Sequence, residues 1–349
     1  MKQALRIGWK PQNYESRVAS VRIRCLNSIR ELRAQGFPVE LYRDRHQKTY
    51  KSVVFSKAYN ARDIELAERL KSRGTRIIFD LCDNHFLLSD ERVDRLARMF
   101  AIADCWVVSS QAMADVVRRK FDSTKPLWVI EDAVEEHLNG QLLDVRGRLQ
   151  ARWQLRGLRG FLDSVANRKA VHLVWFGNHK ASYGDSGLAH VRKLRPLLEK
   201  LHVRRPLTVS VISNSRDAFN EVFRDWKIPV YYIDWSAHTF LAALKLHDVA
   251  VIPIDVNEFT EVKTNNRIAL SLNQGLGVVA DSIPSYRVFS DCSFLDNWEQ
   301  GLTAYMDHPQ IIEEHVRCAR HLIHEQFSIP VIAARWRSLF DSVQDAIAG

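Results

Sequence analysis

Short apolar runs alternate with longer amphipathic stretches along most of the chain. LRIGW (5–9), VELY (39–42), SVVF (52–55), RIIFDL (76–81), CWVVSS (105–110) and LWVIE (127–131) have the length and β-branched content of buried strands. Between them lie helical patterns: 20–36, where Val21, Leu26, Ile29 and Leu32 hold one face and Gly36 supplies a stop, then 61–73 and 111–121. The rhythm breaks over about 137–169 and restarts with strands at 172–177, 207–213, 230–235, 248–254 and 277–282. Helices are predicted at 238–247 and 265–275, and from about 297 the chain reads as helical throughout. Strand and helix in regular alternation imply parallel sheets covered by helices. The expected class is therefore α/β, with two Rossmann-like domains whose parallel sheets face each other across a cleft. The boundaries read as 1–136, a basic helical linker at 137–169, and 170–330, with the last helix, 331–349, packing back on the first domain.

With 349 residues, two cores are a natural division. No stretch approaches the ~20 apolar residues of a membrane span, and the apolar part of the N-terminus is short for a secretory signal, so a cytoplasmic protein is expected. Cys25, Cys82, Cys105, Cys292 and Cys318 form no CxxC pair and are expected to be reduced core thiols; no metal site is expected. The net charge is +9 and uneven: residues 1–50 carry eleven Lys or Arg against four acids, and residues 146–169 seven against one. Such fields attract phosphates, anionic lipid or nucleic acid without choosing among them. Within 146–169, Leu149, Trp153, Leu155, Leu158, Phe161 and Leu162 are interspersed with the arginines. A linker helix packed on the protein is the expected reading, and an interfacial helix on anionic membrane is the alternative.

Ligands of doubly wound sheets bind beyond the carboxyl ends of strands. In EFTEVKTNNRIALSLNQGLGVVADSIPSYRVF (258–289), a polar loop with Lys263 leads into a helix, whose first turn offers free N–H groups to a phosphate. A solvated surface lysine is the competing reading. In the first half, DLCDNHF (80–86) follows a strand. Asp83 and His85 are the candidate catalytic groups there, since a carboxylate or imidazole titrating near neutrality can accept a hydroxyl proton. A capping or structural role is the alternative for each. Arg17 and Arg22 lie in and after the first loop, suited to phosphate, whereas Arg24 is expected on the solvated face of its helix.

The segment DVAVIPIDVNEFTEVKTNNRIALSLNQGLGVVADSIPSY resembles the donor-binding segment of the group 1 glycosyltransferases of GT-B fold. The matching positions are Asp248, Pro253, Lys263, Asn266, Arg267, Ile268, Gly275 and Val278–Ala280. WFGNHKASYG (175–184) resembles the family's glycine-containing loop near the donor phosphates, and VVSSQAMADVV with VIEDAVE the last strand-helix-strand of its acceptor domain. The resemblance implies a nucleotide-sugar donor, a substrate and not a cofactor, held by the second domain. Gly177, His179 or Lys180, Lys263, Asn266 and Arg267 would lie on the diphosphate side. The acceptor, a glycan, lipid-linked compound or protein, would lie near Arg17, Arg22 and His85. The sequence departs from the family at Leu270, where a ribose-binding glutamate is usual, and at Gly277, where proline is usual; Glu261 or Glu258 is the candidate substitute for the glutamate. The competing functions are a non-catalytic scaffold of the same fold, motivated by Leu270, an epimerase, and a nucleic-acid binder. No nucleic-acid partner is expected, because no recognition motif accompanies the charge.

Overall fold

The computed structural model describes residues 6–16, 18–135, 145–166, 170–179 and 187–345. Its contacts divide the chain into two compact units. Unit 1 comprises Met1–Val134, Glu261–Thr264 and His324–Gly349; unit 2 comprises Glu135–Thr260 and Asn265–Ile323.

Unit 1 contains strands β1 (Arg6–Pro11), β2 (Val39–Leu41), β3 (Tyr50–Ser56), β4 (Arg76–Leu81), β5 (Cys105–Val108) and β6 (Leu127–Val129), with helices α1 (Ser28–Ala34), α2 (Ala61–Lys71), α3 (Asp90–Ile102) and α4 (Gln111–Lys120). The strands form one parallel sheet in the order β2-β1-β3-β4-β5-β6. Side chains alternate across it and both faces are apolar. Phe55, Ile77, Phe79, Trp106 and Val108 enter one core, and Val54, Ile78, Cys105 and Val107 the other. That is why these strands read as near-continuous apolar runs. The expected helix over 20–36 divides: Ser20–Asn27 winds with the wide π spacing before α1 begins. The wide turn directs Arg22 and Arg24 inward, where both are buried. Arg24 is therefore not on a solvated face.

Unit 2 contains helix α5 (Val145–Ala166), then β7 (Val171–Phe176), α6 (Arg195–Arg204), β8 (Leu207–Ser213), α7 (Arg216–Phe223), β9 (Val230–Asp234), α8 (Phe240–Leu244), β10 (Val249–Ile252), α9 (Asn266–Asn273), β11 (Gly277–Ala280), the short β12 (Phe294–Leu295), α10 (Trp298–Asp307) and α11 (Gln310–Gln326). Its parallel sheet has the order β12-β11-β10-β7-β8-β9, the doubly wound order of dinucleotide-binding domains. The two-residue β12 carries too little periodicity to be read from sequence. Cys292 and Cys318 are paired as a disulfide with Cα atoms 5.9 Å apart, which corrects the expectation of five reduced thiols; Cys25, Cys82 and Cys105 are free and buried. The pairing brings together residues 26 apart in sequence, beyond the reach of any local spacing motif.

The last helix, α12 (Ile329–Asp345), belongs to unit 1, where Trp336 packs on Trp9 with ring centroids 4.5 Å apart and Phe340 on Phe37 at 5.9 Å. Four residues from the middle of the second half, Glu261–Thr264, also group with unit 1. Val262 is buried in the core beside α2–α4, and Ser110 donates its hydroxyl to the Val262 carbonyl (2.8 Å) while accepting from Met113 N–H (3.1 Å) to cap α4. Burying Val262 stabilises this exchange by about 2 kcal/mol.

Candidate functional site

In an open parallel sheet, ligands bind at the point where strand order reverses, beyond the carboxyl ends of the two strands flanking it. In unit 2 these are β7 and β10. The loop after β7 begins at Gly177, where an added Cβ would stand 3.2 Å from the Trp175 ring. Gly177 N–H donates to the Ile212 carbonyl and its own carbonyl accepts from Ser213 Oγ at 2.8 Å, so the turn is fixed. His179 follows. Its backbone N–H and its Nδ1 both meet Asn214 Oδ1, at 3.0 and 2.9 Å, so Nδ1 carries a proton and Nε2 is left to point elsewhere.

The chain leaving β10 enters α9 at Asn266, with Arg267 next. The Arg267 guanidinium lies over the rings of Trp175 (5.3 Å) and Phe176 (5.4 Å), and its Cζ is 3.9 Å from where a Gly177 Cβ would be. Its Nε and Nη2 are buried and have no hydrogen-bond partner. Burial holds its pKa below the usual arginine value, outweighing the opposing influence of Tyr286. Asn265, at the N-cap, makes no capping hydrogen bond, and its buried Oδ1 has no partner. An uncapped helix start and a cation with two unused donors therefore meet a glycine turn, which is an arrangement for a phosphate or carboxylate. Leu270 is half-buried on α9, and Glu261 is exposed in unit 1.

In unit 1 the order reverses between β1 and β3. A concavity there is lined by Pro11, Gln12, Asn13, Ser20, Lys57 and Asp80 among others. Its floor is a buried network. Arg24 Nε and Nη2 donate to Asp80 (2.6–3.0 Å), and Arg24 Nη1 donates to Asp132 (3.0 Å) and the Ile130 carbonyl (2.8 Å). Ser56 Oγ donates to Asp80 (2.7 Å) and receives Trp9 Nε1–H (2.8 Å). Asp80 thus has its lone pairs engaged and is a structural acid.

Lys57, at the carboxyl end of β3, is in the left-handed region (φ 55°), an uncommon and strained state for a lysine. Its ammonium meets Asp83 Oδ2 at 2.5 Å, and Lys263 holds Oδ1 of the same carboxylate. Burial raises the Asp83 pKa, but Lys263 and Lys57 outweigh it and hold the carboxyl well below its usual range. His85 is buried with Nδ1 2.7 Å from the Tyr59 hydroxyl; burial, with Lys57 adding to it, lowers its pKa to about 4. The expectation that Asp83 or His85 titrates near neutrality is corrected on both: one is clamped by two cations, the other desolvated. At pH 7 Asp83 is charged and engaged, and His85 is a neutral imidazole.

Arg22 donates to the Ser16 carbonyl at 3.4 Å from a buried position. Arg17 and Lys180 lie outside the described residues. The structure thus brings Lys263 to Asp83 and His85 in unit 1, and Gly177, His179, Asn266 and Arg267 to one edge of unit 2. Lys57, Tyr59 and Asn214 were not singled out from sequence. Lys57 and Asn214 each follow the last residue of a strand, which is the positional signal that marks them.

No protein-family model matches the chain, and a search of curated proteins finds no match. Solved structures do match. A sucrose-phosphate synthase from Thermosynechococcus elongatus is 12% identical with a TM-score of 0.66, over 98% of this chain and 100% of that one. An alpha,alpha-trehalose-phosphate synthase (UDP-forming) from Burkholderia vietnamiensis is 11% identical with a TM-score of 0.60, over 93% and 77%.

This is the GT-B fold.

A third structure, an S. aureus TarM mutant in complex with fondaparinux, alpha-GlcNAc-glycerol and UDP, is 13% identical with a TM-score of 0.57, over 84% of this chain and 55% of that one. At these identities the likeness is one of architecture, and the GT-B fold of the present chain carries its own set of side chains. Among the described residues no helix is long and apolar enough to cross a membrane.

Proposed function

We propose that the chain is a glycosyltransferase that takes its sugar from a nucleoside-diphosphate donor, with the diphosphate on unit 2. The observation that carries this reading is Arg267: a guanidinium with two buried, unpartnered donors beside a glycine turn and an uncapped helix start. Burying unsatisfied donors costs about 1–3 kcal/mol each, so an anionic ligand that accepts from both recovers that cost on binding. The same donors facing the leaving diphosphate stabilise the charge that grows on it in transfer. The UDP printed for the TarM structure, and the UDP-forming reaction printed for the trehalose-phosphate synthase, support a nucleoside diphosphate as the anion.

Unit 1 is assigned the acceptor, a glycan, lipid-linked compound or protein. Neutral His85, whose Nδ1 is held by the Tyr59 hydroxyl, is assigned to accept a hydrogen bond from the acceptor hydroxyl at Nε2, and Lys57 and Lys263 offset Asp83 to leave the cluster one positive charge. With cationic side chains taking the diphosphate, the reaction is assigned no obligatory metal. The reading is tested by a thermal-shift panel of UDP, GDP, dTDP, ADP and CMP with the corresponding sugars, followed by assay of nucleotide release. A selective shift with one nucleoside diphosphate, lost in Arg267→Met, is the expected result. No shift with any of them overturns the reading. Binding without release of nucleotide, with a range of acceptors, supports instead the scaffold reading that Leu270 motivates.

A further inference from the structure

Helix α5 has two different faces. At roughly 100° per residue, Ala151, Leu158 and Leu162 fall on one side, and all three are buried; Phe161 on the same side stacks on Tyr231 of β9 with ring centroids 5.0 Å apart. This side anchors the helix to unit 2. On the opposite side Val145, Leu149 and Trp153 recur at intervals of four, forming one stripe, and they are 72%, 53% and 72% exposed. Arginines border the stripe on both edges: Arg148, Arg152 and Arg159 on one, Arg146 on the other, with Arg156 within it, all exposed. None of these guanidiniums makes an ion pair or hydrogen bond among the described residues, and the helix has a single acid, Asp163, nearly three turns beyond Trp153.

We infer that this outward face of α5 docks the protein on an anionic phospholipid surface. A partner for the face has to offer closely spaced anions together with apolar volume. The headgroup region of an anionic leaflet offers both: phosphates for the arginine forks, an acyl boundary for Val145 and Leu149, and the interface level at which tryptophan settles. Nucleic acid would answer the arginines and stack on Trp153, but it has nothing apolar for the two aliphatic side chains. A second copy of the helix would bring five arginines against five. Three apolar residues make a shallow insertion, so attachment is reversible and depends on salt.

The test is sedimentation of the whole chain with vesicles of neutral phosphatidylcholine, and with vesicles containing about a third phosphatidylglycerol. Binding to the anionic vesicles only, falling at least tenfold between 50 and 500 mM salt (on the order of the drop that several screened contacts give), is expected. Leu149→Ser/Trp153→Ser and, separately, Arg148→Gln/Arg152→Gln/Arg156→Gln should each lower partitioning about tenfold or more. Their thermal midpoints should not move, because every substituted side chain is exposed. The proposal is overturned if the native chain stays in the supernatant with anionic vesicles, or if both variants sediment like the native chain. It is equally overturned if the native chain binds an oligonucleotide with an affinity that Leu149→Ser/Trp153→Ser leaves unchanged while vesicle binding is absent, or if that variant instead dissolves a dimer. Vesicle binding does not depend on transfer activity, so this result and that of the nucleotide panel stand apart.

Discussion

Replacing Arg267 by methionine separates a ligand-binding arginine from a core arginine. In the ligand-free chain the guanidinium keeps two buried N–H groups without partners, a cost of about 2–6 kcal/mol in total. Its stabilising contacts are the faces of Trp175 and Phe176, together about 1–4 kcal/mol. The two sums nearly cancel. Methionine fills the same space, keeps contact with both rings and leaves no orphan donor, so Arg267→Met should shift unfolding stability by no more than about 2 kcal/mol. Binding should respond very differently. Two charge-assisted hydrogen bonds to a phosphate contribute about 1.5–3 kcal/mol each, and losing even the lower total weakens a nucleoside diphosphate about a hundredfold. Urea unfolding with the nucleotide at about 100 times its native Kd reads both quantities. The native chain should gain about 2.7 kcal/mol and the variant only about 0.4 kcal/mol. If the variant loses more than about 3 kcal/mol without ligand, yet gains as much from nucleotide as the native chain, Arg267 is a core residue and the diphosphate reading fails.

Arg24→Ala should be costly, by about 3–5 kcal/mol in urea unfolding, because it leaves Asp80 and Asp132 buried without their cation; a loss below about 1 kcal/mol would contradict the network described. Acid should weaken the fold between about pH 6.5 and 4. Burial lowers the pKa of His85, and that of His247 first by burial and then by its neighbour His172, to about 4 in each case. The unfolded chain therefore binds protons that the folded one refuses, and stability is lost as pH falls through that window. The slope is up to about 1.4 kcal/mol per pH unit for each histidine. His247→Leu should flatten it, since the buried Nε2 of His247 has no partner, and an unchanged slope would remove His247 from the account. Alkylation of the unreduced, denatured chain followed by mass spectrometry should label Cys25, Cys82 and Cys105 and spare Cys292 and Cys318; five labels would show the pair to be reduced.

Much of the site was legible as position and little of it as partnership. Gly177, His179, Asn266 and Arg267 were named because their segments resemble the donor-binding segments of the group 1 glycosyltransferases, and the structure places each just after a parallel strand or at the start of the helix after one. That Arg267 is the unsatisfied cation among them could not be read, because satisfaction is a property of surroundings. Lys263 was legible as a loop cation, but its partner Asp83 is 180 positions away. Arg24 was placed on the wrong side because a regular helical period was assumed where the chain winds wide. The basic helix at 145–166 could be read as packed or as interfacial; the structure gives it a packed side and an exposed apolar side, since a helix has room for both.

The sequence by itself determined the two parallel sheets and, apart from the two-residue β12, the order of their strands along the chain. Those follow from hydrophobic periodicity, which is written within ten or so neighbouring residues. Only the tertiary structure decided that Glu261–Thr264 belongs with unit 1, that Cys292 meets Cys318, that Asp80 is neutralised by Arg24, and that Arg267 stands without an anion. Each of these depends on which distant groups share a low-dielectric interior. Burial and pairing there set the charge, the pKa and the free hydrogen-bonding capacity of a side chain, and no local pattern records them.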